Sequence, residues 1–193
     1  MEDEVQQIAL EKLILLVIGS SNDKKLSSLH LQKEVFLLWN FHPDIKTLLK
    51  FIKHYKGPFS REIAQTIKDP LFLYNCWKFI APPENEMLTG GYLLLTQKGK
   101  KLYSTSIIQM KQTDDDDLRK SLIHLISGIK MINDLYSKLS PEELLLLFYD
   151  TYPNFTEKSN VYDIIYKKRD KIAINLYKKD LIDEKRCISI RGV

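Results

Sequence analysis

The chain has 193 residues, of which 44% are hydrophobic and 28% are charged, a composition typical of a folded protein with one or two small domains. Its apolar stretch at residues 5–18 is interrupted by Glu11 and Lys12, which predicts a core helix and excludes a membrane span or a signal peptide. The two cysteines, Cys76 and Cys187, have neither the number nor the spacing of a disulfide framework or a metal site. We therefore expect a cytoplasmic protein that does not enter a membrane.

Charge is unevenly distributed along the chain, whose formal net charge is +4. Residues 22–112 contain 14 Lys and Arg against 7 Asp and Glu, whereas residues 113–193 contain 14 of each kind. A basic first part followed by a neutral second part is typical of a nucleic-acid-binding unit joined to a separate oligomerisation unit. A lysine-rich surface that only maintains solubility would give the same counts.

The first part of the chain is predicted to be mainly helical. Four helices are expected, over residues 4–18, 28–41, 44–54 and 61–68. Serines precede the second and the fourth helix as N-caps, and Asp44 can cap the third. Pro43 closes the second helix, and Gly57 with Pro58 prevents the third from continuing.

Two strands are expected next, over residues 77–81 and 92–95. The link between them contains prolines and glycines and is too long for a tight hairpin turn, but it suits a wing. A helix capped by Thr96 follows. This order predicts a mainly α fold, in which residues 1–112 form a winged helix-turn-helix domain with a two-stranded β wing.

Residues 113–193 are expected to form a separate helical domain. It opens with four aspartates at 114–117, which lack the alternation and the glycine of an EF-hand loop and therefore predict a helix cap. The helix that follows carries apolar residues at alternating spacings of four and three, a heptad seam. The seam consists of Leu118, Leu122, Leu125, Ile129, Ile132, Tyr136 and Leu139. It predicts either packing within the chain or a homodimer.

The end of the chain is also predicted to be helical. Ser140 and Glu143 have the spacing of a capping box, at the start of a helix that ends near Pro153. A last helix is expected over residues 161–179, and residues 187–190 are expected to form a strand or to fray.

No catalytic or metal-binding motif is recognisable in the sequence. The four histidines, at positions 30, 42, 54 and 124, are not grouped with each other or with cysteines at ligand spacing. A nucleophile elbow and a phosphate-binding glycine loop are also missing. The sequence therefore predicts a protein that is not an enzyme and that has no metal and no cofactor.

The best candidate for a nucleic-acid-binding surface is the short helix after Ser60. Arg61, Gln65 and Lys68 have the spacing of one helix face, opposite to the apolar Ile63. Arg and Gln can read base edges, and Lys can contact phosphate. Lysines at the base of the wing can add contacts to the DNA backbone; they are Lys98, Lys100 and Lys101. The alternative is the ordinary solvated face of an amphipathic helix.

Three short blocks, in this order, resemble the Panacea family, the SocA-like antitoxin domains and the related YwgA-like proteins. They are L-x-L-Q-K-x-x-F-L-L at residues 29–38, Y-x-G-P-F-S-x-E-I at 55–63 and Y-L-L-L-T-x-K-G-K at 92–100. The resemblance covers roughly residues 8–110. It implies a non-enzymatic prokaryotic or phage protein that binds a toxin-like protein partner directly.

On this resemblance, a defining loop would contact the partner protein. Its residues are Tyr55, Gly57, Pro58, Phe59 and Ser60. The same residues would also have a purely structural role in any fold, because Gly57 and Pro58 form a turn and Ser60 caps a helix. The helical second part departs from the family pattern and favours a rival hypothesis, a dimeric regulator of double-stranded DNA similar in layout to PadR-like repressors.

Overall fold

A computed structural model describes residues 2–21 and 25–192 of the chain. It is mainly helical with small antiparallel sheets, as the sequence predicts. The helices and strands, with 3-10 helices at Glu84–Thr89 and Pro153–Phe155, are α1 (Glu2–Ser20), β1 (Leu26–Ser27), α2 (Ser28–Phe41), α3 (Pro43–Leu48), β2 (Ile52–His54), β3 (Gly57–Phe59), α4 (Arg61–Thr66), β4 (Trp77–Ile80), β5 (Tyr92–Leu95), α5 (Gln97–Lys111), α6 (Asp116–Tyr136), α7 (Pro141–Thr151), α8 (Tyr162–Lys167), α9 (Arg169–Lys178) and α10 (Glu184–Arg191).

The chain forms two compact units that are not continuous in sequence. The first unit contains the residues up to Phe51 together with residues 60–137, and the second contains residues 52–59 together with the residues from Lys138 onward. Helix α6, which the sequence assigns to the second domain, therefore packs in the first unit, and the short hairpin at residues 52–59 belongs to the second.

The sheet of the first unit has three antiparallel strands in the order β1-β5-β4. Strand β5 lies in the middle, with Leu93 opposite Leu26 of β1 and Phe79 of β4. Leu93 and Leu95 point into the core, whereas the alternating Leu94 is half-buried. The two expected strands are confirmed, and β1 adds a third that is too short to be recognised in the sequence.

The core of the first unit surrounds α1 and α2. Ile14, Leu15 and Val17 of α1 are fully buried, and Leu31 and Leu38 of α2 contact the same cluster. Helix α2 is capped by Ser27, whose side chain accepts a hydrogen bond from the His30 backbone N–H at 3.0 Å. The predicted cap is therefore confirmed.

The second unit is built from α7 to α10 and the β2-β3 hairpin. Helix α7 begins with the predicted capping box, in which the Ser140 N–H donates to Glu143 at 2.7 Å and the Glu143 N–H donates back to Ser140 Oγ at 3.3 Å. Its apolar side, with Leu144 and Phe148 both buried, packs against α9. Glu143 is itself buried and pairs with Lys179 at 2.8 Å.

Some predicted boundaries are wrong. The third helix ends at Leu48, because residues 52–54 pair with residues 57–59 in a hairpin. The turn of this hairpin leads into Gly57 at φ +86°, a conformation that favours glycine.

Three boundaries later in the chain also differ from the prediction. The fourth helix ends at Thr66. The last predicted helix is divided into α8 and α9. Residues 187–190 belong to helix α10, which Asp183 caps and which buries Cys187 and Ile190 on one side.

In the described part of the chain, no helix has the length and the apolar character needed to cross a bilayer.

Candidate nucleic-acid interface

A buried glutamine fixes the start of α4. The Gln32 side chain on α2 accepts a hydrogen bond from the Ser60 backbone N–H and donates one to the Ser60 carbonyl, both at 2.9 Å. The Ser60 hydroxyl caps α4 by accepting from the Ile63 N–H at 3.4 Å. Gln32 and Ser60 belong to the first and second sequence blocks, so these two blocks meet in space. The function of Gln32 is visible only in the structure.

The polar side of α4 is exposed as expected. Arg61 and Gln65 are exposed, while Ile63 and Ile67 are buried in the core. Lys68 is also exposed, but it lies in the turn after the helix and not on the helix face. Its ammonium group stands 5.7 Å from the centre of the Phe79 ring on β4. The candidate surface therefore combines one helix face with a cation that extends from the turn.

The three lysines of the third block lie at the start of α5. Thr96 caps this helix, and its hydroxyl accepts from the Gly99 N–H at 3.1 Å. Gly99 is required because a Cβ at this position would lie 1.8 Å from the Cys76 carbonyl oxygen. Lys98 and Lys101 are exposed, and Lys100 is half-buried.

A segment that the sequence did not single out lies between α4 and β4. Residues 71–74, which we call the aromatic loop, expose Leu71, Phe72 and Tyr74 by 68%, 43% and 65%. The ammonium group of Lys98 donates to the Tyr74 carbonyl at 2.8 Å, and Lys68 precedes the loop in the chain. Two of the candidate cations, Lys68 and Lys98, therefore lie next to the loop.

The aromatic loop is held by the buried carboxylate of Glu11 on α1. Glu11 accepts hydrogen bonds from the backbone N–H groups of Leu71, Phe72 and Leu73 at 2.7, 2.9 and 2.6 Å. Burial raises the pKa of Glu11, but these hydrogen bonds and one from Gln7 outweigh burial and lower the pKa below its ordinary value. In the sequence Glu11 only interrupts an apolar stretch, so nothing there indicates its partner.

The link between β4 and β5 carries acidic side chains. Residues 81–91 include Glu84 and Glu86 but no Lys or Arg. The carboxylate of Glu86 accepts a hydrogen bond from the Tyr92 hydroxyl at 2.5 Å, and Gly90 and Gly91 both have positive φ. Because this link has no cation, we do not expect its tip to contact phosphate.

The residues predicted to bind a partner protein lie on and beside the β2-β3 hairpin. Tyr55 at its tip is 58% exposed, and Phe59 stacks on His54 with ring centroids 4.3 Å apart. Gly57, Pro58 and Ser60 are buried. Within this group, the structure therefore leaves mainly Tyr55 accessible to a partner.

The heptad seam is divided between the units. Ile129 and Ile132 are 3% exposed in the core of the first unit, and Leu125 and Tyr136 pack against this core. Leu139 lies beyond α6 and belongs to the second unit. At the start of α6, Leu118 is half-exposed and Leu122 is partly exposed. The Asp115 side chain caps the helix there, as predicted for the aspartate run. A homodimer through the seam remains a prediction.

Among residues 2–21 and 25–192, no group of three or more His, Cys, Asp or Glu side chains is arranged to hold a metal ion.

In comparisons with known proteins, no family model matches the chain, and no curated protein matches its sequence. The resemblance of the three blocks to the Panacea family therefore remains a hypothesis.

Proposed function

We propose that the protein is a non-enzymatic regulator with a winged-helix first unit that binds nucleic acid, including double-stranded DNA, in the manner of an antitoxin that acts on its own operon. The observation that supports this proposal most is the group of exposed cations around α4 and the start of α5. Arg61, Lys68, Lys98 and Lys101 are all exposed on one unit, and α4 also exposes Gln65, whose amide group is able to read base edges.

The topology of the first unit is compatible with this proposal. The elements of this unit follow one another in the order α1, β1, α2, α4, β4 and β5. Helix α3 is inserted before α4, and a long link joins β4 to β5. The three-stranded antiparallel sheet, in the order β1-β5-β4, supports the winged-helix part of the proposal. In such a unit, α4 takes the position of the recognition helix.

Replacing both Arg61 and Lys68 by alanine is expected to weaken binding to a duplex by tenfold or more, because each lost phosphate contact removes counterion release. The dependence of log K on log salt should become shallower by roughly one unit per lost contact. Fluorescence anisotropy of a labelled mixed-sequence duplex at several salt concentrations measures both quantities.

The matched control replaces Lys167 and Lys171 of the second unit, which are also exposed, by alanine. This control should bind like the unmodified protein. If the variant without Arg61 and Lys68 binds the duplex as tightly as the unmodified protein, the α4 surface is not the DNA-binding surface. If the unmodified protein does not bind DNA or RNA at low salt, the proposed function is wrong.

A second candidate function is direct binding of a toxin-like protein partner. It is favoured by the hairpin tip, where the Tyr55 carbonyl accepts hydrogen bonds from the Ser159 hydroxyl at 3.0 Å and the Asn160 N–H at 3.2 Å. These bonds fix the backbone while the Tyr55 ring stays exposed, as in an interface anchor.

If this second function is correct, Tyr55→Ala should weaken a complex with a protein purified from native lysate by about tenfold or more. Tyr177→Ala, which changes another exposed tyrosine of the same unit, should leave that complex intact. Only abundant background proteins in the purification would count against a dedicated partner.

A further inference from the structure

We infer that the aromatic loop is a stacking platform for unpaired bases, so that the surface around α4 and α5 binds single-stranded nucleic acid in addition to duplex. This inference rests on the proposed function and concerns the same surface. It is carried by three features of the loop: exposed aromatic rings, a fixed backbone and adjacent cations.

The exposure of the loop is unusual because its apolar side chains are consecutive or nearly so. Single exposed apolar residues are common on proteins, but Leu71, Phe72 and Tyr74 together form a patch. Leu73, between them, is partly buried and packs against the core, so the loop has one inner and three outer side chains. An aromatic patch of this kind predicts a binding surface.

The backbone of the loop is fixed before any ligand arrives. Three consecutive N–H groups donate to the Glu11 carboxylate, and the Cys76 N–H donates to the Leu73 carbonyl at 3.0 Å. The hydroxyl of Thr96 donates to the Asn75 carbonyl at 2.6 Å. A surface that is already ordered loses little conformational entropy when a ligand binds, which increases its affinity.

Two lysines lie next to the loop, one close to it in the chain and one in direct contact with its backbone. Lys68 lies before the loop, and Lys98 is anchored to the Tyr74 carbonyl by one of the three donors of its ammonium group. The other two donors of Lys98 have no protein partner within the described ranges. The acidic groups at the loop are Asp69, next to Lys68 in the chain, and the buried Glu11 carboxylate, so the positive charge is local to the two ammonium groups and is not a net charge of the loop.

These features favour nucleic acid over a protein partner. Lysine is depleted in the centre of protein interfaces, whereas single-strand sites combine cations along the phosphates with aromatic rings under the bases. In a duplex the faces of the bases are covered by their neighbours, so Phe72 and Tyr74 can stack only on unpaired bases. The loop therefore adds affinity for single strands specifically.

The test compares a labelled oligo(dT) of about 20 nucleotides, longer than one single-strand site, with a mixed-sequence duplex of the same length. Phe72→Leu and Tyr74→Leu keep an apolar side chain but remove the aromatic face. Each is expected to weaken binding to oligo(dT) by about tenfold and binding to the duplex by less than about twofold. The salt dependence should stay unchanged, since stacking releases no counterions.

Tyr177→Leu in the second unit is the matched control, and it should bind both probes like the unmodified protein. Circular dichroism spectra and thermal melts of each variant verify that it is folded. Unchanged affinity of Phe72→Leu and Tyr74→Leu for oligo(dT), with the unmodified protein still binding it, would overturn the inference and leave the proposed function standing. Equal losses on both probes would also overturn it. Binding to neither probe by the unmodified protein would reject the proposed function itself.

Discussion

Replacing Glu34 by glutamine is expected to make the stability of the first unit much less dependent on pH. The unmodified protein is expected to lose stability steeply as the pH rises. Glu34 is a 1% exposed residue of α2, and burial raises its pKa from the ordinary value of 4.5 to about 8. The Asn133 side chain donates a weak hydrogen bond to Oε2 at 3.3 Å, and among the described residues Oε1 has no hydrogen-bond partner. The site therefore accommodates a neutral carboxyl group better than a carboxylate.

The sign of the pH effect follows from proton binding. Between pH 4.5 and about 8 the folded protein keeps a proton on Glu34 that the unfolded chain releases. Stability is then greatest below pH 4.5 and decreases as the pH rises, by approximately 1.4 kcal/mol per pH unit from this residue alone. The full difference across the interval is about 5 kcal/mol. Glutamine does not titrate, so the Glu34→Gln variant lacks this contribution.

Urea unfolding at several pH values, followed by tryptophan fluorescence, measures the effect. Both tryptophans, Trp39 and Trp77, lie in the first unit, so the signal reports the unit that contains Glu34. Glu84→Gln changes an exposed glutamate of the same unit and should keep the pH dependence of the unmodified protein. Parallel stability curves for Glu34→Gln and the unmodified protein would show that Glu34 is not protonated in the folded state.

Local features of this fold are predictable from the sequence because their causes lie within a few residues. The caps at Ser27, Ser60, Thr96, Asp115 and Ser140 are all found where the sequence places them. The prediction of Asp44 as a cap is wrong, because Pro43 already begins α3 and Asp44 lies in its first turn. Each confirmed cap depends only on a side-chain oxygen and the N–H group of a residue two or three positions later. The same locality explains why the start of a helix is predicted better here than its end.

Features that depend on distant residues are not predictable in the same way. The hairpin at residues 52–59 is stabilised in the second unit by contacts such as the 2.7 Å ion pair of Lys53 with Glu157, far away in the chain. Glu11 and Glu34 resemble surface glutamates in the sequence because nothing local indicates the N–H groups or the apolar surroundings that they meet. For the candidate site, the helix face of Arg61 and Gln65 follows from periodicity, whereas the aromatic loop does not.

Replacing Glu11 by glutamine is expected to destabilise the first unit by about 3 kcal/mol at pH 7. Glu11 is fully buried, and its carboxylate accepts three backbone N–H groups of the aromatic loop and one from Gln7 Nε2 at 2.8 Å. A glutamine of the same size has one oxygen that can accept, while its NH2 group would face N–H donors. Two or more buried donors would therefore lose their partner.

The pH dependence of this loss is opposite to that of Glu34. The hydrogen bonds lower the pKa of Glu11 below 4.5, so the carboxylate stabilises the folded protein above pH 4.5 and loses this effect as the pH falls through the folded-state pKa. The difference between Glu11→Gln and the unmodified protein should accordingly be largest near neutral pH and shrink in acid. Urea unfolding by tryptophan fluorescence, with Glu84→Gln as the control, measures this difference.

Hydrogen exchange in the Glu11→Gln variant distinguishes a loss of global stability in the first unit from a loss of order in the aromatic loop. Hydrogen exchange of the Leu71, Phe72 and Leu73 amides should accelerate by tenfold or more in Glu11→Gln under conditions where the unit is still folded, because these amides lose their acceptor. Exchange of the Leu93 amide, in the central strand β5, should change only as far as global stability changes. If the three loop amides remain as protected as in the unmodified protein, the loop is ordered by its other contacts, and Glu11 is not what holds the rings of Phe72 and Tyr74 in place for a ligand.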